Sequence, residues 1–365
     1  MKRPVALLCG GDPSEHAISL QSSRTLLRAA VEAGYAVHPV CIGEDSTWNL
    51  LPSVSGDDPA LPSALETRVA SRAPGAVSSG SALEIAGALR AMGVEVVVLG
   101  LHGRGGEDGR LQGFLETAGF GYTGCDVIAS AIAIDKVHLK RMLVGAGLPT
   151  PAYRELRLGP ESDQAVERAA RDLGLPLVVK APALGSSVEV HLAEDVESAQ
   201  RAVAGVFEAG SRRVLLEQCI KGRELTCPVT GSADAPRPLP IIEIRPHHAE
   251  WFDYSSKYDV GGAEEIVPAP IDEELARSVE DLALRVHRLI DARGVTRTDF
   301  LVDREGRPFI LETNTLPGMT DASLVPKAAG AAGIALPDLV ASWIEEASAA
   351  TRSSTPTASS NSVEA

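Results

Sequence analysis

Near the C-terminal end of the sequence, Arg297-Thr298-Asp299-Phe300-Leu301-Val302 is followed by Phe309-Ile310-Leu311-Glu312-Thr313-Asn314. Read as two strands turning at Gly306, these segments pair antiparallel, and alternation puts Glu312 and Asn314 on one face. With Asp299 on that face too, three oxygen-bearing side chains converge. Such a set suits a hard cation such as magnesium, held by one or two carboxylates beside phosphates. The same residues also fit a surface hairpin with ordinary polar alternation. Lys180 closes an apolar strand shortly before Gly185-Ser186-Ser187. Backbone N–H groups of such a turn cradle phosphate oxygens, and the lysine adds charge; a plain hairpin turn reads equally well. Walker-loop spacing is missing. Glu217 and Glu224 flank Gly222, where they would meet a ribose or an adenine amine, or only solvent. Lys136 and Lys140 are spaced i,i+4 and share a helix face, ordinarily a solvated one.

Two glycine-rich stretches sit where strands end. Gly10-Gly11-Asp12-Pro13-Ser14-Glu15-His16 opens a helix, at the sheet edge where open α/β folds bind ligands. A helix N-terminus favours anions, and Glu15 attracts an ammonium. His102-Gly103-Arg104-Gly105-Gly106-Glu107-Asp108-Gly109 follows another strand. Each alone reads as a cap and a loop; together they suit a zwitterion.

The elements that must position these residues begin with a βαβ pattern: a strand at 4–9, a helix at 19–33 and a strand at 35–42. Parallel α/β is therefore the expected class. Residues 52–82, rich in Pro, Ser, Gly and Ala, read as a loop. A helix at 83–92, a strand at 94–101 and a short helix at 111–118 follow. Residues 129–145 read as one long helix, stopped by Gly147-Leu148-Pro149-Thr150-Pro151. Strands at 177–180, 188–192 and 213–218, with a helix at 195–208, suggest a small α+β unit. Further strands are expected at 224–229, 240–244, 298–302 and 308–312, with a helix at 272–292. The expected division is an α/β N-terminal domain at 1–127, a central subdomain at 128–222, a catalytic domain with a mixed sheet at 223–350, and a disordered tail at 351–365.

The chain has 365 residues and a formal net charge of −15. That excess argues against nonspecific nucleic-acid binding, which depends on basic side chains neutralising phosphates. Only seven of its 34 basic residues are lysines, so the place of each lysine carries information. Apolar runs fall short of the ~20 residues of a membrane span, and the first apolar stretch is short for a signal peptide. Five cysteines without Cys-x-x-Cys spacing argue for a reducing cytoplasm.

In this order, the motifs resemble those of D-alanine–D-alanine ligases of the ATP-grasp superfamily. The specific stretches are His102-Gly103-Arg104-Gly105-Gly106-Glu107-Asp108-Gly109 and Glu312-Thr313-Asn314-Thr315-Leu316-Pro317-Gly318-Met319-Thr320. Around them lie Glu15-His16-x-Ile18-Ser19-Leu20, Asp135-Lys136, Lys180 with Gly185-Ser186-Ser187, Glu217 with Glu224, Tyr254 with Lys257-Tyr258, Asp299, and Ser323-Leu324.

The resemblance implies a three-part ATP-grasp architecture and a two-step ligation of two D-alanines that uses ATP with magnesium, or manganese in its place. By that resemblance Lys136 and Lys180 hold phosphates under the turn carrying Ser186 and Ser187, while Glu217 and Glu224 meet adenine and ribose. Asp299, Glu312 and Asn314 hold the metal. Glu15 takes the first D-alanine's ammonium with His102 nearby, and Ser323 and Leu324 hold the second D-alanine. Arg297 and the Gly318 amide polarise the reacting carboxyl, and Lys257 and Tyr258 ride on a closing loop. The resemblance also implies a cytoplasmic homodimer without nucleic-acid or membrane partners. Ala181, Leu184, Glu189 and Cys219 depart from the family pattern around the nucleotide. The alternative is a relative joining other D-amino or hydroxy acids.

Overall fold

The structure, a computed structural model, describes residues 2–56, 76–159, 161–183, 190–246 and 263–354. Three sheets follow one another along the chain. The first is built from β1 (Val5–Gly10), β2 (Val37–Ile42), β3 (Trp48–Leu50), β4 (Ser78–Gly80), β5 (Val96–Leu99) and β6 (Gly121–Tyr122), in the order β4-β3-β2-β1-β5-β6. Strands β2, β1, β5 and β6 run parallel, and β3 and β4 add on antiparallel. A parallel sheet is covered on both faces, and β1 shows why its sequence is apolar throughout. Val5, Leu7 and Cys9 join one core, while Ala6 and Leu8 join another. Helix α1 (His16–Glu32) covers the first face; α2 (Ala82–Ala91) and α3 (Arg110–Thr117) cover the second.

The second sheet, β7 (Tyr153–Arg157), β10 (Arg213–Gln218), β8 (Leu177–Lys180) and β9 (Val190–Ala193), is wholly antiparallel. Helices α6 (Ser162–Leu173) and α7 (Val196–Glu208) cover one face, where Leu177, Val179, Val214 and Leu216 are buried. Alternation sends Lys180 and Glu217 to the opposite face.

The third sheet runs β14 (Ala263–Ile266), β13 (Ile242–Pro246), β11 (Gly222–Thr230), β15 (Val295–Asp303), β16 (Pro308–Asn314), with β12 (Arg237–Pro238) on β11. Its core holds Leu225, Cys227, Phe300 and Ile310, covered by α8 (Glu273–Leu289).

Four expectations change. The long helix expected at 129–145 is two helices, α4 (Val127–Ile134) and α5 (Lys136–Gly145), broken at Asp135. The Asp135 carboxylate caps α5, accepting the N–H groups of Val137 and His138 at 3.1 Å each, which pulls that residue out of helical geometry. These helices, expected in the central subdomain, bury Ala129, Ala133, Leu139 and Leu143 in the core of the third sheet. The stretch expected as a loop at 52–82 contains β4; its residues 57–75 lie outside those described. Finally, α10 (Leu336–Ser354) extends into the expected tail.

The first and last described elements meet in one core. Val340, Trp343, Ile344 and Ala347 of α10, with Val325 and Ala328 of α9 (Leu324–Ala331), pack among the residues of β1 and α1. Trp343 is buried, and its indole N–H donates to Thr230 Oγ1 at 2.9 Å. Trp343→Phe keeps most of the ring and loses that bond, so it should cost about 1–2 kcal/mol, read as a lower urea midpoint at unchanged slope. Among the described residues no single helix is long and apolar enough to cross a membrane.

Candidate active site

A cleft of about 1240 Å³ opens among the three sheets. Every described residue to which the resemblance gives a role lines it: Glu15 and His102 from the first unit, Lys136, Lys180 and Glu217, then Glu224, Arg297, Asp299, Glu312, Asn314, Gly318, Ser323 and Leu324. Ser186, Ser187, Lys257 and Tyr258 lie outside the described residues, as do Leu184, Glu189 and Tyr254.

The oxygen-bearing trio comes together through a β-bulge. Phe300 pairs with Ile310, but Asp299 pairs with Glu312, so Leu311 is the extra residue on β16. An unbroken strand would put Ile310 and Glu312 on the same face. The inserted residue leaves Ile310 in the core and turns Glu312 and Asn314 toward the cleft, as bulges beside functional sites do. Asp299 is almost fully buried. Its Oδ1 accepts from Thr226 Oγ1 at 2.6 Å and Arg297 Nε at 2.9 Å. Its Oδ2 accepts from Arg297 Nη2 at 2.9 Å and Asn314 Nδ2 at 3.1 Å. Arg297 therefore grips Asp299 with a two-pronged fork, the arrangement to which guanidinium is preadapted.

Two lysines one turn apart on α5 reach two different sheets. Lys136 Nζ lies 3.0 Å from Glu312 Oε2 on β16. Lys140, which the spacing suggested was solvated, has no exposure and forms an ion pair with Glu217 on β10. Glu217 also pairs with Lys180 at 2.6 Å. One buried carboxylate is thus shared by two ammonium groups. Burial opposes its charge, yet Lys140 and Lys180 outweigh that and hold the carboxyl at about 2. Burial draws Lys140 below the ordinary lysine range, against the pull of Glu217. On α5's other flank, the Asp135 carboxylate pairs with Arg213 of β10. The helix has its apolar face on the third sheet, and Lys140 and the capping Asp135 reach the second.

At the opposite end, Glu15 is the N-cap residue of α1. Gly103 lies against it at φ +68°; a Cβ there would come within 2.8 Å of Glu15 Cγ. Glycine is what lets the two loops meet. Ser323 precedes α9, its hydroxyl accepting the Thr320 N–H at 2.9 Å, and Gly318 sits close enough that a Cβ would be 3.0 Å from Ser323 Oγ. Sequence reasoning missed Thr226, hidden as an ordinary hydroxyl residue, and misplaced Lys140. The scarcity of lysine was the one signal that marked Lys140.

One cleft thus gathers lysines, a fork-bound carboxylate and an acid at a helix N-terminus. A family model described as the D-ala D-ala ligase N-terminus matches residues 4–125, and one described as the D-ala D-ala ligase C-terminus matches 142–345. The chain belongs to the D-alanine–D-alanine ligase family. It is 39% identical over 340 residues to a D-alanine–D-alanine ligase of Desulforudis audaxviator, covering 93% of this chain and 97% of that one. It is 36% identical over 355 residues to one of Leptospira biflexa, covering 95% and 99%. Among solved structures, the ligase of Coxiella burnetii matches with a TM-score of 0.78 at 26% identity, over 96% of this chain and 95% of that one. The Bacillus anthracis ligase complexed with ATP matches with a TM-score of 0.72 at 27% identity, over 97% and 100%. The fold is thus the ATP-grasp fold, and the protein is an ADP-forming ligase of this family.

Proposed function

We infer that this chain joins two D-alanines into D-alanyl-D-alanine for peptidoglycan precursor synthesis, with ATP as the energy source, and that the cleft residues divide the work as follows. The observation that carries the reading is the meeting of Lys136, Lys180, Arg297, Asp299, Glu312 and Asn314 in one cleft with Glu15 at its far end. In the first step a D-alanine carboxylate oxygen attacks the γ-phosphorus. The bond to the bridging oxygen breaks, ADP departs and an acyl phosphate remains. In the second, the amine of another D-alanine attacks the acyl carbon and loses its proton, and phosphate leaves.

Lys136 and Lys180 are suited to the phosphates, each already holding a carboxylate that phosphate oxygens would replace. Glu217 and Glu224 are assigned to adenine and ribose. Asp299, Glu312 and the Asn314 amide oxygen are hard donors, and this set fits magnesium. When bound, the metal neutralises charge on the transferring phosphoryl group. Arg297 and the Gly318 amide face the reacting carboxyl, where a charge that develops in the transition state is stabilised by fixed donors. Glu15 takes the first ammonium, with His102 beside it; Ser323 and Leu324 bound the second amino acid. The segments carrying Lys257 and Tyr258, and Ser186 and Ser187, are assigned to closing the site, because an acyl phosphate must be kept from water. The proposed functional division is 1–127, 128–222 and 223–350, with α4 and α5 of the middle segment packed on the third sheet. The reading puts the enzyme in the cytoplasm as a homodimer, which light scattering on the purified chain checks.

The test is phosphate release and product mass with D-alanine, other D-amino acids and D-lactate. D-alanine should be the preferred donor and acceptor; a product mass containing lactate or a different amino acid as the main outcome would refute it. Asn314→Ala should raise the magnesium needed for half-maximal activity about tenfold, near 1.4 kcal/mol, at saturating nucleotide. An unchanged magnesium titration would remove Asn314 from the ligand set.

A further inference from the structure

Ser22 lies in α1 with no exposure, and three segments meet at its hydroxyl. Its Oγ is 2.8 Å from His102 Nε2, in the loop after β5. The same oxygen accepts the Met319 N–H at 3.1 Å, from the segment after β16. The other ring nitrogen, His102 Nδ1, lies 3.0 Å from the Leu316 carbonyl oxygen. A carbonyl only accepts, so Nδ1 carries the proton. In the neutral imidazole Nε2 then offers a lone pair, and Ser22 donates its one proton to it. The Met319 amide is received by the hydroxyl's own lone pair. For the neutral ring, this is the arrangement that satisfies every group.

The relay closes a ring of contacts. Leu316 and Met319 bracket Gly318, and both are held from the N-terminal side, by His102 and Ser22 respectively. Glu107 Oε1 supports the other end, accepting the Gly103 N–H at 3.0 Å and lying 3.7 Å from His102 Nδ1. The segment bearing Gly318 is thereby clamped to the helix that begins at Glu15.

We propose that Ser22 is a positioning residue for the ligation: its hydroxyl locks His102 in the Nδ1–H tautomer, pins the Met319 amide, and so aims the Gly318 amide at the activated carboxyl. The last clause rests on the ligase reading above. His102 acts on the amino acid through the segment it holds, because its Nε2 is engaged by Ser22. Small displacements of an oxyanion donor are costly, since a shift of about 1 Å near the chemistry is worth up to ~100-fold in rate.

The experiment uses the full-length chain. Ser22→Ala should lower kcat about 10- to 100-fold while KM for ATP and affinity for ADP stay within about twofold. A D-alanyl-D-alanine analogue with a tetrahedral phosphinate at the reacting carbon should bind more weakly by the factor lost in kcat/KM for D-alanine. A kcat close to wild type overturns the proposal. So does an equal loss of ADP affinity, which would make Ser22 a fold-supporting residue. A second measurement needs no variant: nitrogen-15 spectra of histidine-labelled wild-type protein should show His102 protonated on Nδ1, and an Nε2–H signal overturns the relay. Wild-type chain that makes no dipeptide from D-alanine and ATP overturns the ligase reading and the catalytic half of this proposal. Dipeptide synthesis that Ser22→Ala leaves untouched overturns the proposal alone.

Discussion

Arg297→Lys should lower kcat about 100- to 1000-fold while leaving the chain folded. The magnitude is that of removing one preorganised donor from an oxyanion site. Lysine is the informative replacement because it keeps a positive charge beside the buried Asp299 carboxylate. A neutral residue there would leave that carboxylate without its cation, and the resulting instability would obscure the kinetics. What lysine cannot keep is the fork. Arg297 holds both oxygens of Asp299 at 2.9 Å through Nε and Nη2, and the guanidinium has further N–H donors for the reacting carboxyl. An ammonium is a point donor on a flexible stem and does not serve both partners in fixed geometry. The loss should therefore fall on kcat and kcat/KM together, the signature of an interaction made in the transition state. KM for ATP should move much less. Retention of more than a tenth of wild-type kcat would show that Arg297 supports Asp299 and does little for the carboxyl.

The site was legible in the sequence where the chemistry is carried by residue type, and illegible where it depends on local irregularity. Lys180 and Glu217 end apolar strands, and simple alternation puts them on the open face of their sheet. Glu312 defeats that rule. Two positions from a fully buried Ile310, it faces the cleft only because Leu311 is bulged out. No residue in Pro308–Asn314 announces the bulge, since Leu311 is as apolar as the strand residues around it. Asp135 is a similar case. Within an apolar helical stretch its carboxylate competes for backbone N–H groups, and the structure ends one helix and caps the next there. That break is what turns Lys136 toward the cleft and Lys140 toward Glu217. Lys140 was misread because i,i+4 lysines are ordinarily solvated, and burial of a charge follows from tertiary contact alone. The boundary expected near residue 128 puts α4 and α5 in the central subdomain, whereas their apolar faces join the third core.

Lys140→Met should destabilise the fold by about 3–5 kcal/mol near neutral pH, the usual cost of removing one member of a buried ion pair. Methionine matches the length of the stem, so little of the loss comes from a cavity. What remains is the Glu217 carboxylate, itself almost fully buried, with Lys180 as its remaining paired lysine. The pH dependence separates this cause from general damage. In the wild type, Glu217 is held at about 2, below an ordinary glutamate near 4.5. A folded value below the unfolded one means that the unfolded state binds more protons in between. Its stabilising contribution is thus complete above about 4.5 and is lost as pH falls toward 2. In the variant the carboxyl value rises, because one of two opposing cations is gone while burial remains. Protonation then relieves the buried charge, so the stability gap between variant and wild type should shrink as pH is lowered from 7 toward 3. Urea unfolding at several pH values measures that gap. Glu217→Gln in the Lys140→Met background should recover part of the loss at pH 7, since the two sites are in contact and must couple. A gap that stays constant with pH, together with additive single and double variants, would show that the Lys140 ammonium is not what keeps Glu217 ionised.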